Sequence, residues 1–192
     1  MATVLNSELA PIWPLSVARY HAMIDAGILG PEDRVELLEG VIVEKMSKNP
    51  PHVFANSEAR IALEGMLPAG WYVTEQGPIA LASSEPEPDV AVIRGRRRDH
   101  AKKRPGASEI GLVIEVADTS LDRDRGLKKR IYGEAGIPVY WVVDLNTPVV
   151  EVFSQPRDGQ YTNGAVCRPG DSIPVVLDGL TLGAVPVNDL LP

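Results

Sequence analysis

A chain of 192 residues is long enough for one full domain, and nothing in its length demands two. Hydrophobic residues make up 44% of it, too many for a disordered chain, and a formal net charge of -7 at pH 7 argues against a protein that coats nucleic acid nonspecifically. The single cysteine, Cys167, excludes an internal disulfide and has no Cys or His partner at the spacing of a zinc site. The first residues lack the basic start and apolar core of a signal peptide, and no apolar run is long enough to span a bilayer. A cytoplasmic protein is expected.

In chain order, residues 1–15 read as an irregular lead-in containing Pro11 and Pro14. Ser16 has the side chain to cap a helix running to about Ile24, with Val17, Tyr20, Met23 and Ile24 as its apolar stripe. Residues 35–38 and 41–45, joined by Glu39-Gly40, read as a tight hairpin. Val53, Phe54, Ser57, Ile61 and Leu63 recur at helical spacing between residues 51 and 67. Strands are expected at 71–75 and 78–82, after which the acidic, proline-rich stretch 83–88 bends the chain into a strand at 89–94. Residues 95–108 are polar and basic and read as a mobile loop. The run 110–117 is the most buried strand by composition. A helix follows from Asp124 to near Gly136, with Leu127, Ile131 and Ala135 toward the core. Further strands fall at 139–144 and 149–153, and the turn-rich tail from Gln155 supplies an edge hairpin. This order predicts an α/β (α+β) fold, a mixed β-sheet flanked by helices, in one domain over 1–192 with its core at about 16–155 and a strand-rich tail at 156–192.

Three ionisable residues stand in apolar or turn-like surroundings. Asp89 follows Pro88 and opens the apolar run 90–93, and Glu115 interrupts the otherwise apolar 112–117. Lys128 follows on the expected helix. A carboxylate inside a buried strand is costly unless a cation or metal ion pairs with it. On a strand Glu115 projects opposite Ile114 and Val116, so one face can be core while the other meets a cleft. Each residue alone has a plainer reading: Asp89 as a turn residue, Glu115 as half of an ion pair, Asp124 and Lys128 as a surface pair four apart. Asp118 reads as a turn residue, and Tyr140 and Trp141 as core rather than base-stacking groups. Positive charge is concentrated in Arg94, Arg96, Arg97, Arg98, Lys102, Lys103 and Arg104, and again in Arg123, Arg125, Lys128, Lys129 and Arg130. Such patches can hold a phosphate backbone while the whole molecule stays acidic.

The ordered set Asp33-Arg34-Val35-Glu36-Leu37-Leu38-Glu39-Gly40, Pro51-His52, Glu85-Pro86-Glu87-Pro88-Asp89, Val113-Ile114-Glu115-Val116-Ala117-Asp118, Asp124, Lys128, Tyr132, Ala135-Gly136-Ile137-Pro138 and Trp141-Val142-Val143-Asp144 resembles the Uma-type restriction endonuclease family, within the PD-(D/E)XK nuclease superfamily. The resemblance covers roughly residues 16–155 and implies a restriction-endonuclease-like core. It implies that Asp89 and Glu115, with the backbone carbonyl of Val116, bind a divalent cation, Mg²⁺ or Mn²⁺. The superfamily places a lysine two positions after the glutamate, where this chain has Ala117; Lys128 takes its place from the following helix. Glu36 and His52 match positions that such families set beside the site.

The leading expectation is therefore a metal-dependent endonuclease hydrolysing phosphodiester bonds, with DNA as partner and catalytic residues Asp89, Glu115, Lys128, Glu36 and His52. A homodimer is expected if both strands are cut, because that needs two sites related by symmetry. Two other readings stay open: a catalytically inactive nuclease-fold module that binds nucleic acid or supports assembly, and a metal-dependent enzyme acting on a small phosphorylated substrate.

Overall fold

The computed structural model describes residues 12–192, so most of the expected lead-in lies outside the described residues. Six strands form the central sheet in the order β3-β4-β5-β6-β7-β8. They are β3 (Trp71–Glu75), β4 (Val90–Arg94), β5 (Ile110–Ala117), β6 (Val139–Asp144), β7 (Val149–Arg157) and β8 (Gln160–Cys167). Only β5 and β6 run parallel. A parallel pair needs a crossover, and the helical stretch 121–134 provides it.

β5 is buried along its whole length, and its two faces meet different layers. Leu112, Ile114 and Val116 join one core with Ala55, Ala59 and Leu63 of helix α2 (Pro50–Glu64). Hairpin β9 (Ser172–Leu177) and β10 (Leu180–Pro186) and the short helix α5 (Val187–Leu190) complete that layer. Val113 and Ala117 face a second core with Leu38, Ile131, Tyr132 and Tyr140. Over that face lie hairpin β1 (Val35–Leu38) and β2 (Val41–Glu44) and the crossover helices. Glu115 has the parity of Val113 and Ala117 and points into this second layer.

Local chemistry accounts for most boundaries. Ser16 accepts a hydrogen bond from the Arg19 N–H and caps helix α1 (Val17–Asp25). Asn49 caps α2 in the same way, through the His52 N–H. The β1–β2 turn places Glu39 and Gly40 at φ 48° and 77°, the two successive positive values that a two-residue hairpin turn requires.

The structure departs from the sequence reading in five places. Residues 78–82 form no strand, because β3 pairs directly with β4 and the segment between them is held by single contacts such as Ile79 N–H to the Pro86 carbonyl. Residues 95–108 are folded into two 3-10 turns, Arg97–His100 and Ala107–Glu109, rather than left as a loose loop. On α2 the inward face carries the small residues Ala55 and Ala59, while Val53, Phe54 and Ile61 are exposed. Close helix-on-sheet packing selects for small side chains there, which a count of large apolar residues misses. Helicity after β5 begins at Leu121, one turn before Asp124. The tail does more than form an edge: β8 extends the main sheet, and Ile173, Val175, Leu177, Val185, Val187 and Leu190 are buried in the first core.

Gly111, at the start of β5, shows how tightly the tail is seated. A Cβ there would lie 2.6 Å from Leu177 Cδ2 and 2.8 Å from the Trp71 ring. Gly111→Ala is therefore expected to lower stability by about 1–3 kcal/mol in urea melts, through overpacking. A change below about 0.5 kcal/mol would show that the hairpin is loosely held.

Candidate active site

The cleft lies near the C-terminal end of β5, where Glu115 and Val116 line it together with Asp89. Continuing the Val90↔Ile114 register by one residue sets Asp89 across from Glu115. Residues opposed in this way have Cβ atoms about 5 Å apart. At the strand end the Asp89 carboxylate turns along the sheet edge, and its Oδ2 accepts the Val116 N–H at 2.9 Å. His52 Nε2, from the first turn of α2, lies 3.1 Å from the same oxygen, and Lys48 Nζ lies 3.7 Å from Oδ1. Burial favours a neutral Asp89, yet the His52 hydrogen bond and charge, the Val116 N–H and the Lys128 charge outweigh it and hold the pKa below the usual value.

Glu115 has the opposite balance. Lys128 Nζ donates to its Oε1 at 2.9 Å, and the Tyr132 hydroxyl donates to the same oxygen at 2.6 Å. Lys128 also lies 3.4 Å from Glu36 Oε1, brought in by β1. Burial raises the Glu115 carboxyl most; the Lys128 ammonium pulls it down, Asp124, Asp89 and Glu36 push it up, and together they leave it at about 8. Burial works against the Lys128 ammonium, but Glu115, Glu36 and Asp124 raise its pKa, so it stays charged.

A π-helical turn, Asp124–Lys128, joins the single helical turn α3 (Leu121–Arg123) to helix α4 (Lys129–Glu134) and delivers the lysine. In a regular α-helix, residues four apart drift about 40° around the axis, so Asp124 and Tyr132 would diverge by about 80°. The wider turn takes up that drift, and Asp124, Lys128 and Tyr132 are all buried on one line. Tyr140 donates its hydroxyl to the Asp124 carbonyl at 3.0 Å, and the Lys129 N–H bonds the same carbonyl. Ser120 donates to the Asp124 carboxylate, whose pKa burial raises against the pull of Lys128.

The carboxyl and basic groups among these line a cleft of about 240 Å³ whose buried part is mostly acidic and whose exposed part is mostly basic, with Glu87 paired to Lys45 at 2.8 Å on the rim. Four buried carboxylates, Glu36, Asp89, Glu115 and Asp124, share its floor with one buried ammonium, Lys128. Arg34, Lys45, Lys48 and Arg123 stand around them, none of them buried. A floor rich in carboxylate oxygens is suited to a hard cation, and a basic rim is suited to phosphate. No three His, Cys, Asp or Glu side chains among the described residues are close enough to cage a metal alone. Mg²⁺ needs only one or two carboxylates, because it keeps several waters.

The structure brings Asp89, Glu115, Lys128, Glu36, His52 and Val116 to one cleft. The basic cluster of 94–104 is elsewhere. Arg94 ends β4 at the opposite end from Asp89, and Arg94, Arg96, Arg97, Lys103 and Arg104 each pair with a carboxylate of this chain. The Asp118 carboxylate takes a hydrogen bond from the Asn49 side chain rather than from neighbouring backbone. Sequence reasoning gave no site role to Tyr132, Arg34, Lys45 or Lys48, and named Arg123 only as part of a basic patch. Lys45 and Lys48 carried a faint signal, two lysines just before a capped helix start.

The chain matches the family model Uma2, described as "Putative restriction endonuclease", over residues 17–186. It belongs to the Uma2 family. Comparison with curated proteins gives no match. Among solved structures, the Uma2 chain is similar to a crystal structure titled a putative nuclease belonging to DUF820 from Anabaena variabilis ATCC 29413. The TM-score is 0.67 at 16% identity, over 92% of this chain and 97% of that one. Fold and family agree on a restriction-endonuclease-like architecture.

The raised pKa of Glu115 sets a pH test on the protein in chelator-containing buffer. Its folded value lies above the ordinary 4.5, so its contribution to stability is full below 4.5 and lost as pH rises toward 8. Glu115→Gln is expected to remove that loss, so its stability relative to wild type should climb between about pH 4.5 and 8 in denaturant melts. A pH-independent difference would show that Glu115 titrates normally.

Proposed function

We propose that this Uma2 protein is a divalent-metal-dependent endonuclease that hydrolyses phosphodiester bonds in DNA. The observation that carries the reading is the cleft floor: Asp89 and Glu115 side by side, with Lys128 spanning Glu115 and Glu36.

Asp89, Glu115 and the Val116 carbonyl would hold Mg²⁺ or Mn²⁺. The carbonyl of Val116 leaves the strand on the same side as its N–H, which Asp89 accepts, so it faces the same corner. When bound, the ion would lower the pKa of a coordinated water and offset charge on the phosphoryl oxygens. His52 orients Asp89 by holding Oδ2. Glu36 and Tyr132 fix the two sides of the Lys128–Glu115 pair, so the ammonium is positioned before any substrate arrives. From there Lys128 would steady the nucleophile or the scissile phosphate. Arg34, Lys45, Lys48 and Arg123 would hold the flanking phosphates.

The net charge of -7 favours a second reading, a nuclease-fold module that binds without cutting. The carboxylate floor speaks against it, because a pure binder gains nothing from buried negative charge beside phosphate.

The decisive measurement is turnover on single- and double-stranded DNA and RNA with Mg²⁺ or Mn²⁺. Asp89→Asn should keep the fold and weaken calorimetric Mg²⁺ binding; unchanged affinity would remove Asp89 from the metal site. Lys128→Ala should lower turnover by about 100-fold or more with metal affinity mostly kept, by analogy with the loss of one stabilising donor. Near-normal turnover would reduce Lys128 to a structural ion-pair partner. Arg34→Ala with Lys48→Ala should flatten the salt dependence of DNA binding by roughly one unit of slope for each phosphate no longer neutralised.

A further inference from the structure

The two edges of the central sheet are finished differently. At β3 the edge is five residues long, Glu75 is paired with Arg60, and Arg94 stacks over Trp71 at 4.3 Å. Charges of this kind keep an edge from pairing with other chains. β8 has none of these protections. Its eight residues, Gln160-Tyr161-Thr162-Asn163-Gly164-Ala165-Val166-Cys167, contain no charge and no proline, and positions 162–166 are all exposed. One side is paired with β7 from Gln160 to Cys167, and among the described residues no strand pairs with the other. The N–H and C=O groups on that open side form a template for another strand.

Beside this edge lies a groove of about 860 Å³ between the sheet and hairpin β9–β10. Val152, Ile173 and Val176 line it, and β8 contributes its alternate residues Asn163, Ala165 and Cys167. A strand added to β8 would send alternate side chains to that same side and lengthen the groove wall.

We infer that β8 is a self-association edge, at which a second copy of this chain adds its own β8 antiparallel to form a continuous twelve-stranded sheet. Nothing in the segment repels a second copy: residues 160–167 carry no charge, so antiparallel pairing brings no like charges together, and with Gly164 at the centre the flanking Arg168 meets the uncharged Gln160. A register centred on Gly164 sets Thr162 across from Val166 of the second copy and lets both short backbones approach at the centre. The area of a single strand pair is small beside the roughly 1,000 Å² of a stable interface, so the dimer is expected to be weak and concentration-dependent. Its two-fold axis runs perpendicular to the sheet, so the two clefts face opposite ends. The dimer therefore carries two independent sites rather than two sites closing on one duplex. This inference does not depend on the chemistry of the cleft, and an inactive protein that still dimerises would leave it intact.

Sedimentation equilibrium of the full chain across the micromolar range tests it. The weight-average mass should rise with concentration from 20.7 kDa toward twice that value. Thr162→Lys with Val166→Lys should hold the chain at the monomer mass with its melting temperature little changed, because both positions are exposed and the lysines would oppose each other across the edge. Val53→Lys with Ile61→Lys, on the exposed face of α2, should dimerise like wild type. A wild-type chain that stays monomeric throughout overturns the inference. So does a dimer that survives the β8 lysines, or one that the α2 lysines dissolve.

Discussion

The buried, hydrogen-bonded pair of Lys128 and Glu115 constrains everything around it. An ammonium and a carboxyl group that are both at most 4% exposed cannot be left alone in a protein interior, because water no longer solvates either one. The pair persists because its spare valences are occupied: Glu36 takes a second side of the ammonium, and the Tyr132 hydroxyl shares the Glu115 oxygen. These groups come from three separate parts of the chain, so hairpin β1–β2, strand β5 and the crossover helices must all be in place before the pair is satisfied. The folding of one whole layer is tied to this one buried cluster.

Electrostatic frustration is concentrated in the same place. Burial, with the neighbouring carboxylates adding to it, raises the pKa of Glu115 and Asp124, while Asp89, held by a histidine and an N–H, moves the other way. Two neighbouring acids are thus driven in opposite directions by their surroundings, the pattern expected where groups are set for chemistry rather than for stability. The apolar layer beneath is ordinary by contrast. It consists of β-branched and aliphatic residues, with Trp141, on alternate positions of β4, β5 and β6, packed on the small face of α2.

The parts legible in the sequence were those governed by local chemistry. Ser16, the Glu39-Gly40 turn and the apolar run of β5 each fix structure within a few residues, and their positions could be read directly. Glu115 and Lys128 stood out because a charge in apolar surroundings is conspicuous on any reading. What could not be read depended on partners distant in sequence. Arg97 and Arg104 looked like part of a binding patch because their carboxylates, Glu64 and Glu85, come from other segments of the chain. Lys48 looked like any surface lysine until the fold brought Asp89 to within 3.7 Å. The exposed α2 residues misled for a related reason: the identity of the buried face was set by how closely the sheet approaches, not by which side chains were largest.

The π-helical turn has a consequence for how relatives of this chain should be compared. Lys128 reaches Glu115 because the turn holds one more residue than an α-helix would use, and that extra residue sets the rotation of the lysine. Gly126, within the turn, has open space where a side chain would stand, so nothing in the packing there fixes the count. A homologue with the same residues that wound 124–128 as a regular α-helix would keep the lysine in an alignment and yet turn it about 40° out of line with Asp124. For this helix, matching letters does not establish that a site is intact; the winding of the turn that carries the lysine does.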